Sequence, residues 1–329
     1  MISVTTPSAV IVRAPLNVPA ASGVKVISTA PLDLLAIANA LSPISSTSKE
    51  FAFSTENVAG YIDYFDFDNK SLLTVGSSFD QCLNAFYYGA RDITLYDINP
   101  YAKYYTYLKI AAILSLTYQE FKAFFFKHGE KRYYNKYMFT KELYNKLSPT
   151  LRLLDYESFL FFDELFNSFS VDEIRSSLFN DDEVRNKVIK GFNIYLRDEE
   201  SYNKLKSIIA GISLKYIQGD MYEDEIPGKY DNIFLSNISN ASKFPEYKAL
   251  LEKITSCNLS STGSAQIAYL WDIYFDETYY EKDWFDIYKL PIVKKEIGHL
   301  ITESHDVLSG RDILWHENKK RDLILIHRK

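Results

Sequence analysis

Four short clusters carry the chemistry this chain can do: Gly76-Ser77-Ser78, Asp97-Ile98-Asn99-Pro100, Gly219-Asp220-Met221 and Ser236-Asn237. Each closes an apolar run. Leu72 to Val75 precede the first, Ile93 to Tyr96 the second, Leu214 to Gln218 the third and Tyr230 to Leu235 the fourth. The ends of parallel strands share one edge of an open α/β sheet, where such folds bind nucleotides. Gly76 lets the backbone turn tightly and approach a ligand with no Cβ in the way. The N–H groups around Ser77 and Ser78, at the positive end of the next helix, suit the negative end of a ligand, here a carboxylate. Asp97 follows Gly76 by 21 residues, a spacing that suits a carboxylate accepting from two ribose hydroxyls. Asn99 shares its turn. Asp220 offers a carboxylate to an adenine amino group, Met221 an apolar side chain to the ring, and Asn237 lines the mouth where the reacting group sits.

Each cluster also has a plainer reading. A glycine at a strand end can be only a turn. Asp97 with Asn99 and Pro100 can cap the next helix, and Asp220 can accept bonds from its own loop. Order and spacing together point to a nucleoside-type cofactor. A dinucleotide site would want G-x-G-x-x-G for its pyrophosphate. Here the turn is G-S-S-F-D-Q, without further glycines or a nearby basic residue. S-adenosylmethionine carries no phosphate. It needs an amino-acid site at the first turn, a ribose site at the second strand and an adenine site at the third. The turn still departs from the glycine-rich first motif usual in methyltransferases.

The elements that must position these residues follow from the pattern. Ser71 to Asp97 reads as strand, turn, helix, strand. Cys82 falls in that helix as a small core residue. Thr55-Glu56-Asn57 can begin a helix that buries Val58, Ile62 and Phe65. Pro100 opens a long helix. Thr117 to Gly211, roughly 95 residues, reads almost wholly helical, far more than a βαβ crossover needs. It is expected to be a helical insertion between the second and third strands, serving as lid or substrate module. A helix over Phe244 to Ser256, a turn at Gly263 and a strand from Ala265 to Leu270 follow. Asp312 to His316 and Asp322 to His327 read as a closing antiparallel hairpin. In the first 50 residues, Val10–Val12 and Val24–Ile27 read as short edge strands and Pro31 to Leu41 as a short helix. The expected fold is α/β: a Rossmann-like, mostly parallel seven-stranded sheet of the class I methyltransferase type. Its expected parts are an arm or cap over 1–50, a first cofactor half over 51–116, the insertion over 117–211 and a second half over 212–329.

The chain has 329 residues, 47% of them hydrophobic, with a formal net charge of −6. That is core enough for one large α/β domain with an inserted unit. The acidic balance disfavours nucleic acid as a partner. Two distant cysteines and five histidines without ligand spacing disfavour a zinc site. No apolar run reaches the roughly 18 residues of a membrane span, and the cysteine usage points to a reducing, cytoplasmic setting. The 26 tyrosines and 22 phenylalanines are the outlying numbers. Tyrosine suits packed but wet surfaces such as clefts and homo-oligomer contacts.

Residues 70–126 and 212–240 resemble a known family. LLTVGSSFDQCLNAFYYGARDITLYDINP, continuing through Leu116-Thr117-Tyr118-Gln119-Glu120-Phe121, is similar to the betaine-lipid-synthase-type S-adenosylmethionine:diacylglycerol 3-amino-3-carboxypropyl transferases. There too a serine-rich turn replaces the glycine-rich one, Asp-x-Asn-Pro ends the second strand, and a Leu-x-Tyr-x-x-Phe segment opens a helical insertion. Gly219-Asp220 and Tyr230 to Ile238 are similar as well. The resemblance implies S-adenosylmethionine as donor and transfer of a methyl or 3-amino-3-carboxypropyl group to a lipid or small-molecule acceptor, with peripheral membrane contact for a lipid. A hydroxyl acceptor needs a general base; Asp272, Tyr118 and Tyr274 are candidates, with His128, His299 and His305 on segments the pattern does not place. A nicotianamine-type synthase using the same donor, and a non-catalytic α/β scaffold that binds a partner or itself, are the competing readings.

Overall fold

A computed structural model describes residues 25–28, 51–128, 136–137, 139–178, 186–241, 243–271, 295–310, 313 and 321–329. Its strands are β1 (Lys25–Ser28), β2 (Ser71–Val75), β3 (Asp92–Asp97), β4 (Lys127–His128), β5 (Lys136–Tyr137), β6 (Ser213–Gln218), β7 (Tyr230–Phe234), β8 (Leu259–Leu270), β9 (Glu303–Leu308) and β10 (Arg321–Arg328). Eight of them form one sheet in the order β1-β6-β3-β2-β7-β8-β10-β9. β1 through β8 in that row run parallel, and β10 pairs antiparallel with both β8 and β9. β4 and β5 make a separate two-stranded ribbon. Apart from the edge strand β1, the row is the seven-stranded, Rossmann-like sheet of the class I methyltransferase fold. The chain leaves β2 for β3 and β6 on one side, then returns to lay β7 and β8 on the other. Strand order therefore reverses between β2 and β7, and the crevice outside their carboxyl ends is where sheets of this kind take ligands.

The strands form because they are apolar on both faces. Leu72, Leu73, Ile93, Leu95, Ile233 and Phe234 are fully buried, as parallel strands covered by helices must be. Helix α1 (Asp80–Tyr87) connects β2 to β3. Helix α2 (Ala102–Ser115) begins just after Pro100, and every residue from Ala102 to Ile113 is buried. A helix buried all round lies between layers. Beyond it come α3 (Tyr118–Phe125), α4 (Lys141–Leu154), α5 (Tyr156–Ser168), α6 (Val171–Leu178), α7 (Asn186–Phe192) and α8 (Glu199–Ile209). Thr117 caps α3 in a reciprocal capping box with Glu120. Face-to-face ring pairs bind these helices: Tyr104 on Phe161 at 4.6 Å, Phe124 on Phe139 at 4.2 Å and Tyr144 on Phe166 at 4.2 Å.

The tyrosines are core more than wet surface. Tyr61, Tyr107, Tyr144, Tyr195, Tyr202, Tyr216 and Tyr269 are among the largest fully buried side chains. Many hydroxyls go to backbone carbonyls: Tyr118 to Leu196 at 2.8 Å, Tyr202 to Leu116 at 3.2 Å and Tyr216 to Asn99 at 3.0 Å. A buried phenol is tolerated when its polar tip is bonded in this way.

Several sequence expectations need correction. The partner of β10 is Glu303–Leu308, not Asp312 to His316; most of the latter lies outside the described residues. The stretch after Glu56 forms two 3-10 turns, Val58–Gly60 and Ile62–Tyr64, instead of a helix, although Val58, Ile62 and Phe65 are buried as expected. Gly263 is no turn: β8 runs through it with a register shift against β7, and an added Cβ there would lie 2.7 Å from Leu259 Cδ1. The glycine accommodates an irregular rung. Helix α9 (Phe244–Lys253) stops earlier than expected, and Ile254–Asn258 loosens into a wider turn. β1 matches the edge strand expected near Val24–Ile27, while Val10–Val12 and Pro31–Leu41 lie outside the described residues. Among the described residues no helix is long and apolar enough to cross a membrane.

One buried ion pair joins these layers. Lys109 of α2, 3% exposed, donates to Asp80 Oδ1 at 2.7 Å, to the Ser78 carbonyl at 2.7 Å and to the Ala52 carbonyl at 2.8 Å. Asp80 also accepts from Ser54 N–H at 2.6 Å and Tyr195 at 2.8 Å. Removing one member of such a pair strands the other charge. Lys109→Met is expected to lower unfolding stability by about 3–5 kcal/mol and to open the Ala52–Ser54 segment to protease. A denaturant midpoint equal to wild type would refute this.

Candidate functional site

The four clusters meet at the carboxyl edge of β2, β3, β6 and β7. The closest contact is between Gly76 and Asp97. A Cβ on Gly76 would lie 2.7 Å from Asp97 Oδ2 and 3.0 Å from Asp97 Cβ. Asp97 Oδ2 accepts Ser77 N–H at 2.8 Å, and its Oδ1 accepts Asn99 N–H at 2.8 Å. The carboxylate thus grips the turn after β2 with one oxygen and the turn after its own strand with the other. Burial pushes the Asp97 carboxyl above the ordinary aspartate range, while backbone N–H groups from Ser77, Asn99, Gly76 and Ile98 pull it back. The turn it holds is unusual: Ser77 and Phe79 sit at φ +35° and +67°, a conformation that side chains other than glycine adopt at a cost. Phe79 N–H to the Gly76 carbonyl at 3.0 Å closes it.

The third strand joins through the backbone, Gly219 N–H donating to the Asp97 carbonyl at 2.9 Å. Gly219 is needed because a Cβ would meet Tyr96 Oη and Asp224 Oδ2, each at 2.6 Å. Those two groups lie 3.4 Å apart across it. Burial, with Asp224 beside it, pushes the Tyr96 phenol up to about 12. Asp220 stands at this edge but spends one carboxylate oxygen on Tyr222 N–H at 2.8 Å, a turn that caps itself. Asn99 does likewise for Tyr101 N–H at 3.0 Å.

The remaining expected site residues divide. Ser78 is buried at the turn, its carbonyl taken by Lys109. A basic residue therefore does reach the first turn, contrary to the sequence reading, but it is paired with Asp80. Asn237 is half-buried beside Ser236, its Oδ1 3.4 Å from that hydroxyl. Met221 belongs to the smaller core cluster with Leu73, Tyr96 and Ile226 and is 6% exposed. Tyr118 commits its hydroxyl to Leu196 and sets its ring at a tilt against Tyr202 within the helical segment. His305 stacks on Tyr64 at 4.0 Å and faces Glu303 at 3.1 Å. Asp272 and Tyr274 lie outside the described residues.

Sequence reasoning missed Glu56 and Gln81. Glu56 enters from the segment before β2 and is buried against the turn after β7. Ser236 Oγ donates to its Oε1 and Tyr61 donates to its Oε2 at 3.3 Å. Gln81 Nε2 donates to Ser236 Oγ at 3.3 Å. Burial pushes the Glu56 carboxyl up to about 7, against the opposing pull of Ser236, Tyr61 and Gln81. No motif announces Glu56, because its role depends on a strand end 180 residues away.

No protein-family model matches the sequence, and no curated protein matches it. Solved structures do align with the chain. The pyocyanin biosynthetic protein PhzM aligns over 83% of this chain and 54% of its own, at 11% identity and a TM-score of 0.37. PigF with SAH aligns over the same shares at 10% identity and 0.33. A Listeria monocytogenes protein described as an S-adenosylmethionine-dependent methyltransferase aligns over 83% of this chain and 99% of its own, at 10% identity and 0.35. The chain spans about half the length of the first two. The fold assignment rests on the strand order.

Two outcomes follow from this geometry. Gly76→Ala forces the Asp97 carboxylate aside and is expected to lower stability by about 1–3 kcal/mol; a denaturant midpoint at the wild-type value would contradict the contact. Glu56 is an acid whose pKa is raised in the fold from 4.5 to about 7. Its contribution is therefore complete below about 4.5 and lost as pH rises through 7, up to roughly 3 kcal/mol. The depressed carboxylates Glu120 and Glu303, both near about 2, titrate below that window. The stability difference between wild type and Glu56→Gln should fall between pH 4.5 and 7, and a flat difference would sink the assignment.

Proposed function

We propose that the protein is an S-adenosylmethionine-dependent transferase moving a methyl or 3-amino-3-carboxypropyl group to a lipid or small-molecule acceptor. The observation that carries the reading is the convergence of Gly76, Asp97 and Gly219-Asp220 at three adjacent parallel strand ends, held together by direct hydrogen bonds. The site fits an adenosyl compound. Asp97 and Asp220, carboxylates at two adjacent strand ends, support a ligand that has ribose hydroxyls and an adenine amino group to donate. Among the described residues, the cation reaching the first turn, Lys109, is already paired with Asp80, which disfavours a pyrophosphate.

In this reading Gly76, Ser77 and Ser78 hold the amino-acid end, Asp97 and Asn99 the ribose side, Asp220 and Met221 the base, and Asn237 lines the reacting end. Met221 would act from the core, as part of the wall. When bound, the sulfonium supplies an electrophilic carbon and a neutral thioether leaving group. The protein's share is alignment of donor and acceptor and exclusion of water. The engagement of Asp97 by Ser77 and Asn99 supports an alternative, a scaffold whose site is filled by its own turns.

Binding calorimetry separates these. Wild type is expected to bind S-adenosylmethionine and S-adenosylhomocysteine, and Asp97→Ala, measured below its own lowered melting transition, to bind them at least tenfold more weakly, about 1.4 kcal/mol. Equal affinity in the variant would count against the site; no affinity in the wild type would favour the scaffold. Product analysis fixes the chemistry: S-adenosylhomocysteine marks methyl transfer and methylthioadenosine marks aminocarboxypropyl transfer.

A further inference from the structure

Three polar side chains that the adenosyl reading leaves unused lie buried beside the point where strand order reverses. Glu56 is 1% exposed, Gln81 3% and Ser236 6%. Ser236 follows β7, and continuing the register of β2 with β7 places it level with Gly76. Its φ is +55°, a left-handed conformation that a serine keeps only when its surroundings impose it. Gln266 Oε1 accepts its N–H at 2.8 Å and Tyr269 N–H donates to its carbonyl at 3.2 Å. The turn so held aims the Ser236 hydroxyl between Glu56 and Gln81. Gln81 Oε1 is buried with no hydrogen-bond partner among the described residues. A buried acceptor left without a donor is rare and asks for a cause.

We propose that Glu56, working through the Ser236 hydroxyl, is the proton acceptor of this site, and that it gives up its own proton when a cationic donor binds. This rests on the adenosyl reading above and adds the class of acceptor: a nucleophile bearing O–H or N–H. Such a nucleophile sheds one proton as its new bond to carbon forms, and the departing sulfur keeps the electron pair of the broken bond. That proton passes to Ser236 Oγ while the Ser236 proton passes to Glu56. A thioether or tertiary amine acceptor would need no such relay.

Within this cluster Glu56 is the group that responds; Asp97, the other carboxyl that burial raises at this edge, has its oxygens held by the Ser77 and Asn99 N–H groups. Tyr61 bonds it directly and Tyr269 faces it; burial raises both phenols. The Tyr269 hydroxyl is donated to Asp322 of β10 at 2.5 Å. On α1, Asp80 is matched by Lys109. A carboxyl near 7 is half-ionised at neutral pH, the range in which a general base works best. A positive sulfonium arriving at this edge favours its ionised form, and a neutral thioether does not.

The test needs no acceptor. Binding of S-adenosylmethionine and of S-adenosylhomocysteine to the full chain at pH 7 is measured calorimetrically in phosphate and imidazole buffers, whose ionisation heats differ. For a one-unit drop in the Glu56 pKa, S-adenosylmethionine releases about 0.4 proton, S-adenosylhomocysteine none, and the affinity ratio of the two rises roughly fivefold from pH 6 to 8. Glu56→Gln loses the release and leaves the affinity ratio flat across pH. Wild-type binding without release, or release undiminished in Glu56→Gln, overturns the inference alone. Should that variant fail to fold, a wild-type affinity ratio flat across pH overturns it instead. Failure of both compounds to bind removes the adenosyl reading and this inference together.

Discussion

A carboxylate pressed against a glycine fixes the working edge of this protein. Asp97 ends β3 and reaches sideways to the turn after β2, where the missing Cβ of Gly76 gives it room. One oxygen holds Ser77 and the other Asn99, so two loops that would otherwise move independently share a single anchor. The backbone of the same residue then takes the N–H of Gly219, and a third loop is tied in. Charge-assisted bonds to backbone N–H groups are stronger than neutral ones, which lets a buried carboxylate survive here despite its desolvation. Every distance at this edge depends on that arrangement.

Around it the molecule separates two kinds of interior. Most of the core is aromatic and aliphatic packing, with tyrosine hydroxyls tied to carbonyls. Buried polar groups concentrate where the segment before β2 crosses the sheet edge. Asp80 with Lys109 pins that segment to α2, and Glu56 with Ser236 pins it to the turn after β7. Low local dielectric strengthens satisfied bonds and raises the cost of unsatisfied ones. Such a cluster specifies one arrangement of loops, and it also keeps one carboxyl near neutrality. Positional specificity and a perturbed acid arise from the same burial.

The helices between β3 and β6 hold much of the aromatic content. The six helices α3 to α8 pack into one continuous apolar core with α1, α2 and the sheet face they cover, and that core needs ring-to-ring contact. The stacked pairs Tyr104–Phe161, Phe124–Phe139 and Tyr144–Phe166 supply it. Helix α2 lies inside that core, against α4, α5 and α8, and is buried on every side for that reason.

The sequence by itself determined the parallel strands, the two glycine turns and the acid that follows the second strand. Each is a local pattern: an apolar run of strand length, a residue without Cβ, a carboxylate at fixed spacing. It also marked Val58, Ile62 and Phe65 as core, although the backbone that buries them coils as 3-10 turns. Only tertiary structure decided what the side chains do there. Met221 turned to the core and Tyr118 to a helix carbonyl because packing, not spacing, sets where a side chain points. Glu56 and Ser236, distant in sequence, became partners because the segment before β2 crosses the sheet edge beside the turn after β7. A carboxyl's acidity is a property of its surroundings, and no residue carries those surroundings in its own sequence neighbourhood.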